Sequence, residues 1–494
     1  MVFSSLVFVL IFLPLSLAGY YLVPKKIKNL FLLFASLVFY SWGGFHTLPI
    51  FLASILGNYL FALAIEKTLQ KKSLCKFIVI VMLSANIGLL VAFKYLAFIL
   101  KFVNRIPHLS IAVPEWALPL GISFFTFSAL SYVLDVYFEA TKAEKNILNV
   151  ALYISFFPKL ISGPLMQWSD FQSQLENRKF DFEQFTGGLE RFIVGFAKKT
   201  IIADSIALFA DLVFNSPNFS SVSVFLAWFG VIAYLIQLYF DFSGYSDMAV
   251  GLGKMFGFTI NENFNYPYIS KNITEFWGTR WHISLGTWVN HYIYTPVFRA
   301  VSKKNPSTGK KLKTKYCDYI ALVVSWCIIG PWHGAGLSYL AYGLYFCALI
   351  FFERLYESYK KNRKKAGKPI NGNFFTQKIL PHIYVFLAVC LGFLIFRANS
   401  LSAASKHFMA LFGLAKNSVF NEIDSFYFIH YILLTLTGVV FSMPVVPALK
   451  KKLESKMSPL VLNLITKIVL LCLLIVSISF AVGNTYKAFI YFNF

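Results

Sequence analysis

Long apolar runs, each near the length an α-helix needs to cross a bilayer, recur along the chain and are separated by short clusters of Lys and Arg. About 20 consecutive apolar residues span the hydrocarbon core as a helix, and inside lipid such a helix satisfies its own backbone hydrogen bonds. Composition agrees: 57% of the 494 residues are hydrophobic and 14% are charged, against about 25% charged in soluble domains. An ordinary soluble enzyme is excluded. Dividing the apolar residues by about 20 per span bounds the count near fourteen, and loops bring it to about eleven. The expected fold class is an all-α polytopic membrane protein, with 1–494 as a single integral-membrane domain.

The 45 Lys and Arg against 22 Asp and Glu give a net charge of +23. The excess sits between apolar runs, which is the positive-inside bias of cytoplasmic loops; no nucleic-acid partner is expected. Six cysteines are scattered without a C-x-x-C pair, so neither a disulfide framework nor a metal site is expected. The first apolar run precedes Lys25, Lys26 and Lys28, the reverse of a signal peptide, and reads as a retained span with its N-terminus outside.

Paired spans follow at 29–45 and 48–65, and again at 77–100 and 118–137. Between Asn149 and Phe171, Pro158, Gly163 and Pro164 break an apolar segment. Broken helices at membrane depth survive only against protein or a water-filled cavity, so this reads as a re-entrant segment, with an interfacial helix as the plainer alternative. Phe182, Phe185, Leu189, Phe192 and Phe196 recur at helical spacing among charges, the pattern of an amphipathic helix along the cytoplasmic face. A span over 225–242 ends in an acidic, aromatic run holding Asp241 and Asp247, whose carboxylates suit either function or capping. Spans at 382–396, 429–441 and 460–482 complete the count and place the C-terminus outside.

Two basic stretches, 303–315 and 353–368, bracket the apolar segment 316–352, which therefore enters and returns. Each arm of about 17 residues reaches roughly 25 Å, short of a core of about 30 Å. The turn Gly330-Pro331-Trp332-His333-Gly334-Ala335-Gly336 thus places an imidazole inside or barely through the bilayer, beside small residues that leave its ring approachable. His282, within Arg280-Trp281-His282-Ile283-Ser284, is the second candidate. A structural hydrogen bond is the alternative for each. No G-x-S-x-G elbow, Walker A sequence or H-E-x-x-H pair is present. The chain ends Phe489-Ile490-Tyr491-Phe492-Asn493-Phe494, one phenol among phenyl rings. Tyr has a reference pKa near 10, so it accepts an acyl group only when a base takes its proton. An aromatic girdle at the interface is the alternative.

ISFFPKLISGPLMQWSDF, FDFSGYSDMAVGLGKMFGF, NFNYPYISKNITEFWGTRWHISLGTWVNHYIYTPV, GPWHGAGLSYLAYGLYF and FRANSLSAASKHF resemble, in order, the blocks of bacterial membrane-bound O-acyltransferases of the alginate and peptidoglycan O-acetyltransferase type. The teichoic acid D-alanyl transferase is a more distant likeness. The resemblance implies a multi-helix fold with re-entrant and interfacial helices around a central tunnel, in the bacterial inner membrane. It puts the family's invariant His on His333 and its second polar His region on His282. Trp332, Gly334, Arg280, Trp281 and Ser284 become the expected substrate-binding neighbours. The closing F-x-Y-F-x-F motif falls on Phe489, Tyr491, Phe492 and Phe494, so 484–494 is expected to be an acyl-carrier tail.

The mechanism this implies starts with an acyl thioester, acetyl-CoA in the first instance and an acyl carrier protein as alternative, reaching His333 from the cytoplasm. Tyr491, dipping in from the periplasm, takes the acetyl group and passes it to an SGNH-hydrolase-like transferase that modifies a polysaccharide. Peptidoglycan is the favoured acceptor, with alginate or another exopolysaccharide as alternatives. No bound cofactor or metal is expected, and the partners besides these are membrane lipids. A transporter for lipid-linked sugar is the competing class; the missing inverted repeat and the aromatic terminus speak against it.

Overall fold

The computed structural model describes residues 1–483 apart from 177, 305–308, 310, 369 and 371. Among them the backbone is overwhelmingly helical, and an isolated antiparallel bridge between Phe264 and Trp281 makes no sheet. Among the described residues, six helical stretches are long and apolar enough to cross a membrane: Lys25–Thr68, Lys72–Val103, Val224–Met255, Phe375–Arg397, Glu422–Phe441 and Pro459–Gly483. The first holds two helices, Lys28–Gly44 and Leu48–Thr68, joined at Phe45–Thr47 where the sequence predicts a turn. Other predicted crossings fall on the shorter apolar helices Phe8–Leu22 and Ile122–Tyr137. The bracketed hairpin falls on Thr314–His333 and Leu337–Lys365, whose apolar runs are diluted by aromatic and polar residues. The fold is an all-α polytopic membrane fold.

One compact unit comprises residues 1–196 and 245–262. Its centre is the Ile122–Tyr137 helix, in which every residue from Ile122 to Val136 is buried. Ser123, Thr126, Ser128, Ser131 and Asp135 are buried with its apolar residues, so the helix faces protein on every side rather than lipid. Gly121 starts it at φ +65°, and a side chain there would meet the Leu160 carbonyl at 2.6 Å. That carbonyl belongs to the predicted broken segment, which forms as Ile147–Ser155 and Phe157–Leu160 with non-helical backbone at Phe156 between them. Residues 152–166 are all buried, so protein satisfies the freed backbone groups. Phe157 donates its N–H to Ser36 Oγ at 3.1 Å, and Lys159 Nζ donates to Ser128 Oγ at 2.8 Å. In the same unit Asn58 and Asn86 exchange amide hydrogen bonds of 3.1 and 2.9 Å between adjacent helices.

The second unit comprises residues 197–244 and 263–494. The Val224–Met255 helix contributes to both units and differs from the expected span, which ended at Phe242. It runs on because its acidic residues have partners. Asp241 meets Lys199 Nζ at 2.7 Å in the second unit, and Asp247 meets Arg191 at 2.7 Å in the first. The amphipathic helix forms at Phe182–Ala197, but the lysine just beyond it does not stay at the surface. Lys199 is 2% exposed and is held between Asp204, at 2.6 Å, and Asp241. A buried ammonium needs such company, since desolvation without it costs several kcal/mol.

Candidate active site

The candidate residues that fall among the described ones lie in the second unit, and the hairpin sets their geometry. Its first arm continues through Pro331 and ends on His333, so the turn is only Gly334-Ala335-Gly336. Pro331 lies inside the last turn, where it leaves the Cys327 carbonyl without its helical N–H, and the helix ends two residues later at the extended backbone of Gly334 and Gly336. Counted from Tyr316, the imidazole stands about 26 Å along the helix, close to the arm length read from the sequence. The arms cross at two glycines. A side chain on Gly343 would lie 2.8 Å from both the Gly330 Cα and the Trp326 carbonyl, so the backbones touch there.

His333 is 3% exposed and sits in an aromatic cage. Its ring centroid is 4.6 Å from Trp332, 5.6 Å from Tyr342 and 5.1 Å from Phe396, the last two edge-on. Phe396 comes from the end of the Leu380–Arg397 helix, and the next residue, Arg397, is tied to Asp211 at 2.6 Å. The space expected beside Gly334 is filled by the Tyr339 ring, whose Cε2 would be 2.2 Å from a Cβ there.

His282 arrives at the same place from a different element. It is 2% exposed, its ring lies 4.7 Å from Phe242 and 6.1 Å from Trp332, and so both histidines have Trp332 as a neighbour. Its backbone is left-handed, φ +49°, a conformation that costs an L-residue about 1–2 kcal/mol. A clasp enforces it: Asn265 donates its N–H to the Arg280 carbonyl at 2.9 Å and Ile283 donates to the Asn263 carbonyl at 3.0 Å. Ser284, through its N–H and hydroxyl, donates to Asn263 Oδ1 at 3.2 and 2.9 Å. The His282 carbonyl then starts the Ile283–Val289 helix by accepting from Leu285 and Gly286.

Arg280 is engaged in the same clasp. It donates to Glu275 Oε1 at 2.7 Å and to the Asn265 carbonyl at 3.0 Å. Partial burial acts to raise the Glu275 pKa, but the Lys271 N–H and the Arg280 guanidinium outweigh it and hold the carboxyl below its usual range. Trp281 packs in the core, stacked on Phe276 at 5.5 Å and 5.1 Å from Phe393. Glu353, on the second arm of the hairpin, accepts from the Ile273 and Thr274 N–H groups at 2.6 and 2.8 Å. This joins the segment carrying His282 to the hairpin carrying His333.

The structure therefore brings together His333, Trp332 and His282, and gives Ser284, Arg280 and Trp281 positions that hold them. Phe242, Phe396, Tyr342, Asn263 and Glu353 complete the surroundings and are not singled out by the sequence. Tyr491, Phe489, Phe492 and Phe494 lie outside the described residues. Among the described residues no group of His, Cys, Asp and Glu is arranged to hold a metal ion. Two buried imidazoles among aromatic rings are suited to accepting and returning a proton.

Residues 106–376 match the model of the MBOAT, membrane-bound O-acyltransferase, family. A probable alginate O-acetylase of Azotobacter vinelandii is 38% identical over 84% of this chain and 78% of its own length. The peptidoglycan O-acetyltransferase of Helicobacter pylori is 33% identical over 84% of this chain and 80% of its own. The teichoic acid D-alanyltransferase of Bacillus subtilis is 30% identical over 56% of this chain and 68% of its own.

Proposed function

The chain belongs to the membrane-bound O-acyltransferase family and is an acyltransferase, and from that premise we propose that it moves an acetyl group from a cytoplasmic thioester to an extracytoplasmic polysaccharide by way of Tyr491. The donor is acetyl-CoA. Tyr491 attacks the thioester carbonyl while His333 takes the phenolic proton as general base. The C–S bond then breaks, and the departing thiolate recovers that proton from the imidazolium. The acetyl-tyrosine ester passes its acyl group to an SGNH-hydrolase-like partner outside the membrane, which esterifies a polysaccharide hydroxyl. His282 orients the carbonyl or shares the proton through its position beside Trp332.

The observation that carries this reading is the convergence of His333 and His282 on one buried indole at the tip of a hairpin. Relatives named for alginate and for peptidoglycan acetylation cover most of the chain, which supports a glycan acceptor of either kind. Peptidoglycan is the acceptor we favour, with alginate as the competing one. D-alanyl transfer is the less supported alternative, since those relatives match 56% of the chain.

The test is incubation of the purified full chain with radiolabelled acetyl-CoA and mapping of label on the C-terminal peptide. Label on Tyr491 is expected in the native protein and none in Tyr491→Phe, while His333→Ala should lower labelling about 10²- to 10⁴-fold, the usual weight of a general base. Unchanged labelling in folded His333→Ala would remove the base from the mechanism. Label that persists in Tyr491→Phe would remove the carrier.

A further inference from the structure

Away from the histidines, the first unit gathers two cations on a platform of tyrosines. Lys28, at the start of the Lys28–Gly44 helix, holds its Nζ 4.5 Å from the Tyr20 ring centroid and 5.1 Å from that of Tyr21. Arg178 comes from a distant part of the sequence to the same ring: its Nε donates to Tyr20 Oη at 3.4 Å. Its other nitrogens donate to the Gln174 carbonyl, at 2.6 Å, and to Asn29 Oδ1, and its plane lies 4.1 Å over Phe258. The platform is fixed because Tyr20 and Tyr21 donate to the Phe256 and Met255 carbonyls at 2.9 and 2.5 Å.

Two like charges around one tyrosine repel, and among the described residues neither forms an ion pair with a carboxylate. Among the described residues their hydrogen bonds and ring contacts are to aromatic faces and neutral oxygens. Such an arrangement is electrostatically incomplete and would be completed by an anion. The surroundings say which kind. Leu22, Ile27, Leu30, Phe180 and Phe182, on the segments that carry the pair, are exposed, and Phe180 packs on Tyr21 at 5.2 Å. Aromatic and aliphatic side chains beside half-buried cations match a lipid: the phosphate meets the charges and the acyl chains meet the apolar rim. A water-soluble phosphate gains nothing from that rim.

We propose that Lys28 and Arg178 bind the phosphodiester of an anionic phospholipid at the membrane surface, a site independent of the acyl-transfer chemistry. The test uses the full chain purified in detergent and titrated with phosphatidylglycerol, with phosphatidylcholine, CoA and inorganic phosphate as separate arms. Thermal midpoint and lipid retained in native mass spectrometry are the two readouts. Phosphatidylglycerol is expected to raise the midpoint and to remain bound, and the other additions are not. Lys28→Gln, which removes only ring contacts, should weaken phosphatidylglycerol binding about fivefold, the weight of one basic residue near an anionic surface. Arg178→Gln should weaken it at least as much, and Lys25→Gln/Lys26→Gln, which leaves the tyrosine platform intact, should weaken it less than Lys28→Gln alone. Equal losses in Lys28→Gln and in the Lys25/Lys26 variant would reduce the effect to bulk charge and overturn the site. A midpoint raised equally by CoA or phosphate would overturn the lipid as its ligand.

Discussion

At the scale of single residues, His282 carries the most information because its backbone and its side chain can be tested apart. A buried non-glycine residue at φ +49° is held there by the Asn263 and Arg280 contacts on either side. Asparagine tolerates the left-handed region better than most residues, whereas alanine does not, and neither carries an imidazole. His282→Asn is therefore expected to unfold at a higher temperature than His282→Ala, by a difference worth roughly 1 kcal/mol. Acetyl transfer should fall in both if the imidazole takes part in the chemistry. Measured side by side, thermal midpoints and labelling rates separate the two roles: full activity in His282→Asn would make the residue a backbone device alone. The sequence shows His282 as a histidine between Trp and Ile, and nothing in that string reveals the left-handed turn. The turn is dictated by Asn263, Asn265 and the clasp they close, which is a tertiary fact.

Among the elements, the hairpin Thr314–His333 and Leu337–Lys365 determines where the imidazole stands. Its arms touch at Gly330 and Gly343, and a Cβ at Gly343 would press on backbone, which cannot rotate away as a side chain can. Gly343→Leu must separate the arms and shift Tyr342 and Trp332, both neighbours of His333. Overpacking of this kind costs about 1–3 kcal/mol. A lower thermal midpoint and a loss of acetyl-CoA turnover are expected together; normal turnover with a normal midpoint would mean that the crossing is loose. Gly57, with open space around it, is the matched control. The hairpin is legible in the sequence because two basic stretches bracket it and glycines mark its tip. The turn is read as starting at Gly330, whereas the helix carries on through Pro331 to His333 and only Gly334-Ala335-Gly336 make the turn. The Phe396 wall and the Glu353 anchor are not legible, because each comes from a separate segment whose register only packing fixes. The burial of Lys199 is not legible for a related reason: its partner Asp241 is remote in sequence.

For the whole molecule, the reading of spans rests on hydropathy and charge, and these are the properties a bilayer itself selects, which is why the membrane-protein class and most spans are legible without a structure. An expected sidedness follows from the same rule and underlies the proposed mechanism, in which a thioester from one face meets Tyr491 from the other. The basic end of Leu337–Lys365 is expected on the cytoplasmic face and the end of Pro459–Gly483 on the opposite one. Single cysteines introduced into a chain freed of its own six, at exposed Lys365 and at Gly483, report this directly through a membrane-impermeant maleimide. Lys365→Cys should be labelled in inverted vesicles and protected in intact spheroplasts, and Gly483→Cys should show the reverse. Both replacements lie at helix ends away from the histidine cage, so retained acetyl-CoA turnover certifies the fold of each variant. Labelling of both from the same face would place Tyr491 on the donor's side of the membrane, and the acyl group would then have to cross by some carrier other than the C-terminal tyrosine.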